Sequence, residues 1–252
     1  MWKKFSSILL TVLLCLVCAV ASAQAAEDSA PRTAAPQEKP SRIELVMILD
    51  KSGSMHGLEA DTIGGFNAMI EKEKKLGIDV RVTTVLFNDR MDRLYEHREI
   101  RSVRPLTERT YETGGTTALL DAVGDTILHM EQSGAADRQG TKVIVVIITD
   151  GMENASTEFT KAKVKELISD KQEKAGWDFI YLGANIDAVQ VAGGLGIRPE
   201  FAAEFACDAA GVRENFASLG AMTCAFSAVG EVPIGWAEKI GKHLAKKKSG
   251  RS

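Results

Sequence analysis

"IELVMILDKSGSM" (Ile43–Met55) passes from a nearly unbroken apolar run into three oxygen-bearing side chains, Asp50, Ser52 and Ser54, at alternate positions. The run Ile43–Leu49 holds a single charge, Glu44, and suits a strand buried on both faces, the kind that parallel sheets place at their centre. The change of character at Asp50 marks the end of that strand. Oxygens at i, i+2 and i+4 fit either a turn that caps the next helix or a site for a hard cation. The rest of the chain decides between the two.

Downstream, strand and helix patterns alternate. Asp61–Leu76 reads as a helix with Ile63, Phe66, Met69 and Ile70 on one face, although Gly64 and Gly65 weaken it. "DVRVTTVLF" (Asp79–Phe87) is a β-branched strand, and "MDRLYEHREI" after the turn at Asn88–Arg90 reads as an edge strand. Leu120, Val123, Ile127 and Met130 recur at helical spacing. "KVIVVII" (Lys142–Ile148) is the strongest strand, followed by a helix carrying Val164, Leu167 and Ile168. "WDFIYLG" (Trp177–Gly183) and "EFACD" (Glu204–Asp208) read as further strands, with a short helix between them and a longer one near Val212–Val229. The order predicts an α/β fold: a doubly wound, mostly parallel sheet with helices on both faces.

The chain has 252 residues, 45% hydrophobic and 26% charged, which is ample for an apolar core. Lys3 and Lys4 precede the apolar "ILLTVLLCLVCAVA" (Ile8–Ala21) and the small-x-small triplets "ASA" and "AQA". Residues 1–25 therefore read as a cleaved signal peptide, its apolar run short of the ~20 residues that span a bilayer. No second such run follows, so the mature chain is expected in the periplasm or outside the cell without a transmembrane segment. Residues 26–41, with three prolines, read as a flexible linker, and residues 231–252 as a basic, frayed tail. Contact of that tail with an anionic surface is the alternative. The net charge of −3 disfavours a nucleic-acid partner, which needs a basic face. Cys207 and Cys224 survive removal of the signal, and in an oxidising compartment they are expected to bridge; two small buried thiols are the other reading.

In an open α/β sheet, ligands collect at the carboxyl ends of the strands. Three stretches fall there: "DKSGS", "TGGTTALLDA" (Thr113–Ala122) and "TDGMEN" (Thr149–Asn154). They supply the carboxylates of Asp50 and Asp150 and the hydroxyls of Ser52, Ser54, Thr116 and Thr117. Thr116 is preferred over Thr117 because it directly follows the glycine pair. A donor set of hard oxygens, without His or Cys, suits Mg²⁺, with Mn²⁺ and Ca²⁺ as alternatives. His56 reads as a solvated loop residue, and Glu153 and Asn154 as residues of a helix start.

With "DKSGS", "GGTT" and "ITDG" in this order and at wide spacing, the sequence resembles the von Willebrand factor A domain family. The resemblance spans residues 42–230 and includes the five positions of that family's metal-ion-dependent adhesion site: Asp50, Ser52, Ser54, Thr116 and Asp150. "TTVLFND", "TALLDA", "VIVVIITDGMENAS" and "LGANIDA" look like a bacterial subgroup. The resemblance implies that Ser52 and Ser54 ligate the metal directly, Thr116 when a ligand is bound, and the two aspartates through water. It further implies a protein-binding module, not an enzyme, whose under-neutralised cation takes an Asp or Glu carboxylate from a partner protein. Two other readings stay open. One is a metal-dependent phosphoester hydrolase with Asp50 as nucleophile, although Ser52 stands where that chemistry wants a second acid. The other is a metal-independent scaffold.

Overall fold

A computed structural model describes residues 39–184 and 187–250. The signal peptide and most of the linker lie outside the described residues. Six strands form one sheet in the order β3-β2-β1-β4-β5-β6. They are β1 (Arg42–Asp50), β2 (Asp79–Phe87), β3 (Met91–Glu99), β4 (Thr141–Thr149), β5 (Asp178–Ala184) and β6 (Ala202–Phe205). All neighbours are parallel except β2 and β3, an antiparallel pair joined by a tight turn, as the edge-strand reading required. The apolar runs of β1 and β4 lie side by side in the middle, Leu45 opposite Ile144 and Leu49 opposite Ile148, and their side chains are buried.

The helices are α1 (Glu59–Glu73), α2 (Leu119–Ser133), α3 (Lys161–Ala175), the short α4 (Ala188–Gly194), α5 (Ala209–Val229) and α6 (Glu238–Ser249). From β1 the chain crosses to β2 on one side, whereas from β4 it crosses to β5 on the other. Right-handed crossovers in opposite directions place their helices on opposite faces. Accordingly α1 packs with α5, and α2 with α3. The direction reverses between β1 and β4, and the carboxyl ends of those two strands form the crevice where such sheets bind ligands.

The glycines that weakened the α1 reading have a packing reason. A Cβ on Gly65 would come within 2.4 Å of Phe216 Cδ2, so only glycine lets α5 approach this closely. Phe216 then meets Phe66 edge to face, with ring centroids 6.4 Å apart, a geometry worth about 1 kcal/mol beyond the buried area. Further along, a Cβ on Gly220 would lie 3.4 Å from Met69 Cγ. Contacts therefore advance together along both helices, and α1 and α5 both run from the carboxyl end of the sheet towards its amino end.

Two expectations fail. The "frayed tail" is helix α6, which packs on β6 and α5. Ile240 and Trp236 are buried, the Trp236 indole N–H donates to Glu200 O at 3.0 Å, and Lys247 and Lys248 pair with Asp208 and Glu204. Acids distant in sequence give the lysines partners that composition could not show. Nor do Cys207 and Cys224 form a disulfide. Cys207 precedes α5 and Cys224 lies fifteen residues beyond its first residue. At 1.5 Å rise per residue that is about 22 Å of helix, whereas a bridge needs Cα atoms within about 7 Å.

Glu73, at the end of α1, is buried against α5, and burial pushes its carboxyl up to about 8, with the Thr223 hydroxyl offsetting this in part. A carboxyl bound more tightly to its proton in the fold contributes stability that is full below about pH 4.5 and is lost as pH rises through 8. Urea unfolding of Glu73→Gln should therefore match wild type near pH 4 and exceed it by more than 1 kcal/mol at pH 8. Parallel pH profiles would contradict the assignment.

Candidate metal centre

Asp50 is the last residue of β1, and Asp150 follows the last residue of β4. The parallel pairing of these strands joins residues a hundred positions apart into one cluster. Ser54 Oγ donates to Asp150 Oδ1 at 2.5 Å, and Ser52 Oγ lies 3.1 Å from Ser54 Oγ. Asp50 Oδ1 accepts the Ser52 backbone N–H at 2.7 Å, and Asp50 Oδ2 accepts the Thr149 hydroxyl at 2.6 Å. Tyr111 O–H clamps the Asp50 carbonyl from the neighbouring loop. The serines do not cap a helix: Ser52 makes no side-chain capping bond to the short 3₁₀ turn Gly53–Met55, and α1 is preceded by Leu58. Four of the five residues singled out in the sequence thus meet in space.

The fifth does not join them. Thr116 is exposed, and the buried Thr117 faces the cluster. A point one Cβ bond from Gly151 lies 3.2 Å from Ser54 Oγ and 3.4 Å from Thr117 Oγ1, so these two hydroxyls flank the same glycine. The reason is local. Thr117 N–H donates to Asn154 Oδ1 at 2.9 Å, and Thr117 O accepts Asn154 N–H at 3.1 Å, which turns the Thr117 side chain towards the end of β4. Gly115 carries the turn before it with φ of 75°, and a Cβ there would strike Asp89 Oδ1 at 2.0 Å. Adjacency to the glycine pair places Thr116 in solvent, whereas the twofold bond to Asn154 places Thr117 beside Gly151.

The surrounding loops are tied to one another. Asn88 Nδ2 donates to Gly114 O, Asn88 O accepts Ala118 N–H, and Gly53 N–H donates to Gly115 O. Glu153 Oε2 accepts Leu120 N–H in the first turn of α2, while Asp121 accepts the N–H groups of Thr157, Glu158 and Phe159. Backbone donors that would lack partners are satisfied across the two loops, which holds Thr117 beside Gly151. Thr149, Asn88 and Cys207 had no signal in the sequence. Cys207 Sγ lies 3.7 Å from Asp150 Oδ2, placed there because β6 ends beside β5.

Electrostatically the centre lacks positive charge. Burial raises the Asp50 carboxyl above its ordinary range; the Ser52 and Thr149 bonds lower it and the Asp150 charge raises it further. Burial likewise raises Asp150, against the bonds from Ser54 and Cys207. Lys51 stands between Asp50 and Ser52 in sequence, but its ammonium pairs with Asp92 at 2.6 Å. Among the described residues no three His, Cys, Asp or Glu side chains are grouped to hold a metal ion. The donors here are two carboxylates and several hydroxyls. They fit a hard cation: Ser52 Oγ and Ser54 Oγ stand close to the ~2.9 Å edge of an octahedron built on Mg–O bonds of about 2.1 Å.

A sequence model of the von Willebrand factor type A domain matches residues 44–196, and the chain belongs to that family. Domains of this kind are generally protein-interaction or adhesion modules. No curated protein matches the chain in sequence. Among solved structures it is similar to proximal thread matrix protein 1 from the mussel byssus, with 15% identity and a TM-score of 0.52 over 74% of this chain and 47% of that one. It is also similar to the PilB minor pilin from Streptococcus sanguinis, with 10% identity and a TM-score of 0.56 over 80% of this chain and 66% of the pilin. The chain therefore spans about half of the first protein and just under two thirds of the second. At these identities the likeness is one of fold. Among the described residues no helix is long and apolar enough to cross a membrane.

The raised aspartates have a consequence for stability without metal. Each binds its proton more tightly folded than unfolded, so stability is full below about pH 3.8 and falls as pH rises through the raised values. In chelator, Asp150→Asn should be more stable than wild type at pH 7, with the gap closing towards pH 4 in denaturant titrations. A less stable variant at pH 7 would show that the carboxylate holds the loops together instead.

Proposed function

We propose that this chain is a divalent-cation-dependent protein-binding module of the bacterial cell envelope, exported by its N-terminal segment, that captures an acidic side chain of a partner. One observation carries the reading: two buried carboxylates and the hydroxyls of Ser52, Ser54, Thr117 and Thr149 meet at the carboxyl ends of β1 and β4 with no basic side chain among them. Ser52 and Ser54 would hold the cation directly, with Thr117 as the third hydroxyl in place of Thr116. Asp50 and Asp150 would act through water, Asp50 kept in place by Thr149 and Asp150 by Ser54. Mg²⁺ suits this set best, because so few charged ligands leave it waters and an open position. When bound, it supplies a positive charge that the protein only partly cancels, and an incoming Asp or Glu carboxylate completes the neutralisation. Loops interlocked through Asn88, Glu153 and Asp121 keep the donors arranged before the ion arrives, so little ordering cost is left for binding. In this reading the module binds and does not turn substrate over.

Calorimetric titration of Mg²⁺ and Mn²⁺ tests it. Ser52→Ala, Ser54→Ala and Thr117→Val should weaken binding on the order of 10–100-fold, and Thr116→Val by less than about 3-fold. Capture of envelope partners should be lost in chelator and in Ser54→Ala. Equal metal affinity in all variants would sink the proposal, and Mg²⁺-dependent phosphoesterase activity abolished by Asp50→Asn would replace it with the hydrolase reading.

A further inference from the structure

The rim of the centre changes character from one side to the other. Over β1 and β2 its exposed side chains are polar: His56, Glu112 and Thr116 beside the hydroxyl-bearing loops, and Asp89 and Arg90 in the turn after β2. Over β4, β5 and β6 it carries softer groups. Among the described residues four large apolar side chains are exposed, and two of them stand here: Met152 at 70%, just past the end of β4, and Val189 at 44%, in the first turn of α4 after β5. Cys207, also exposed, follows β6. β4, β5 and β6 are successive neighbours in the sheet, so at about 4.8 Å per strand the ends that carry these residues span roughly 10 Å.

This softer side adjoins the centre. A point one Cβ bond from Gly151, the residue before Met152, lies 3.2 Å from Ser54 Oγ, and Cys207 Sγ lies 3.7 Å from Asp150 Oδ2. The backbone around it is fixed. Gly151 N–H donates to Thr149 Oγ1, Glu153 Oε1 accepts the Ala155 and Ser156 N–H groups, and Asp187 and Asp208 cap α4 and α5. None of these bonds calls on the Met152 or Val189 side chain, so both project from pinned segments into solvent. Thioether and thiol are polarizable and adapt to varied apolar shapes. Beside a contact between a cation and a carboxylate, an apolar cover excludes competing water and lowers the local dielectric, which strengthens that contact.

We infer that Met152 and Val189, with Cys207 beside them, select the partner: they receive a large apolar side chain two residues from the partner's Asp or Glu. In an extended segment laid across the strand ends, side chains two residues apart point the same way and stand about 6.8 Å apart. With the acid over the ends of β1 and β4, the second side chain then lies over β5, whereas an immediate neighbour of the acid points to the other face. The inference rests on the cation-dependent reading above and adds the chemistry of the partner, an exposed extended segment of the kind Asp-x-Leu or Leu-x-Asp.

The test uses the mature chain carrying ¹³C in its methionine methyl groups, the Met152 resonance being assigned by its loss in Met152→Gln. The probes are synthetic Gly/Ser-flanked peptides containing Asp-Gly-Leu or Leu-Gly-Asp, their counterparts with Ser for Leu, and their counterparts with Asn for Asp. In Mg²⁺ the better of the two Leu peptides should shift the Met152 methyl and bind about 10-fold more tightly than its Ser counterpart. The Asn peptides should do neither, and chelator should abolish both effects. M152Q/V189Q should lose the preference for Leu yet bind Mg²⁺ as wild type does by calorimetry. Equal affinity for the Leu and Ser peptides, in a protein that takes up Mg²⁺ and the Asp peptides, would overturn this inference and leave the cation-dependent reading standing. A protein that binds none of the peptides in Mg²⁺ would overturn both. Binding of a Leu peptide that persists in chelator, or with Asn for Asp, would show an apolar surface that acts apart from the centre and would also overturn the inference.

Discussion

Two carboxylates end neighbouring parallel strands, both buried, with the lysine between Asp50 and Ser52 drawn off to Asp92. Hydroxyls rather than cations surround them. Each hydroxyl bond eases the cost of burying a carboxylate but brings no charge, and both groups remain raised above their ordinary range. A site built this way is incomplete on its own terms: it favours either protons or a cation. The rest of the upper surface serves to hold that imbalance in a fixed geometry.

The holding is done by backbone groups and by side chains that never touch the centre. Asn88 and Asn154 fix the loop that carries Thr117, while Glu153 and Asp121 satisfy amides across the α2 and α3 approaches. Beneath them the strands supply rigidity through apolar burial on both faces, and the α1–α5 contact at Gly65 and Phe216 locks one layer in place. The chain thus carries a hard-oxygen centre at one end of its sheet, with a rigid sheet beneath it.

The fold was legible because it rests on local pattern. Unbroken apolar runs in β1 and β4, β-branched alternation in β2 and helical spacing in α2 and α3 each follow from burial on one or two faces, a property of residues near in sequence. Asp50, Ser52, Ser54 and Asp150 were legible for a related reason: a polar residue directly after a buried strand must lie at its end, and parallel strands bring such ends together.

What the sequence left open was decided by contacts between distant segments. Thr116 and Thr117 are equivalent as letters, and only the paired bonds to Asn154 turn Thr117 inward. Cys207 and Cys224 look like a pair until α5 separates them along its length. The lysine-rich terminus looks solvated until Asp208, Glu204 and the carbonyl of Glu200 are placed beside it. For the threonines and the lysines the deciding partner lies tens of residues away, and its position follows from strand order and helix direction, which no local pattern contains; the cysteines are kept apart by the helix between them.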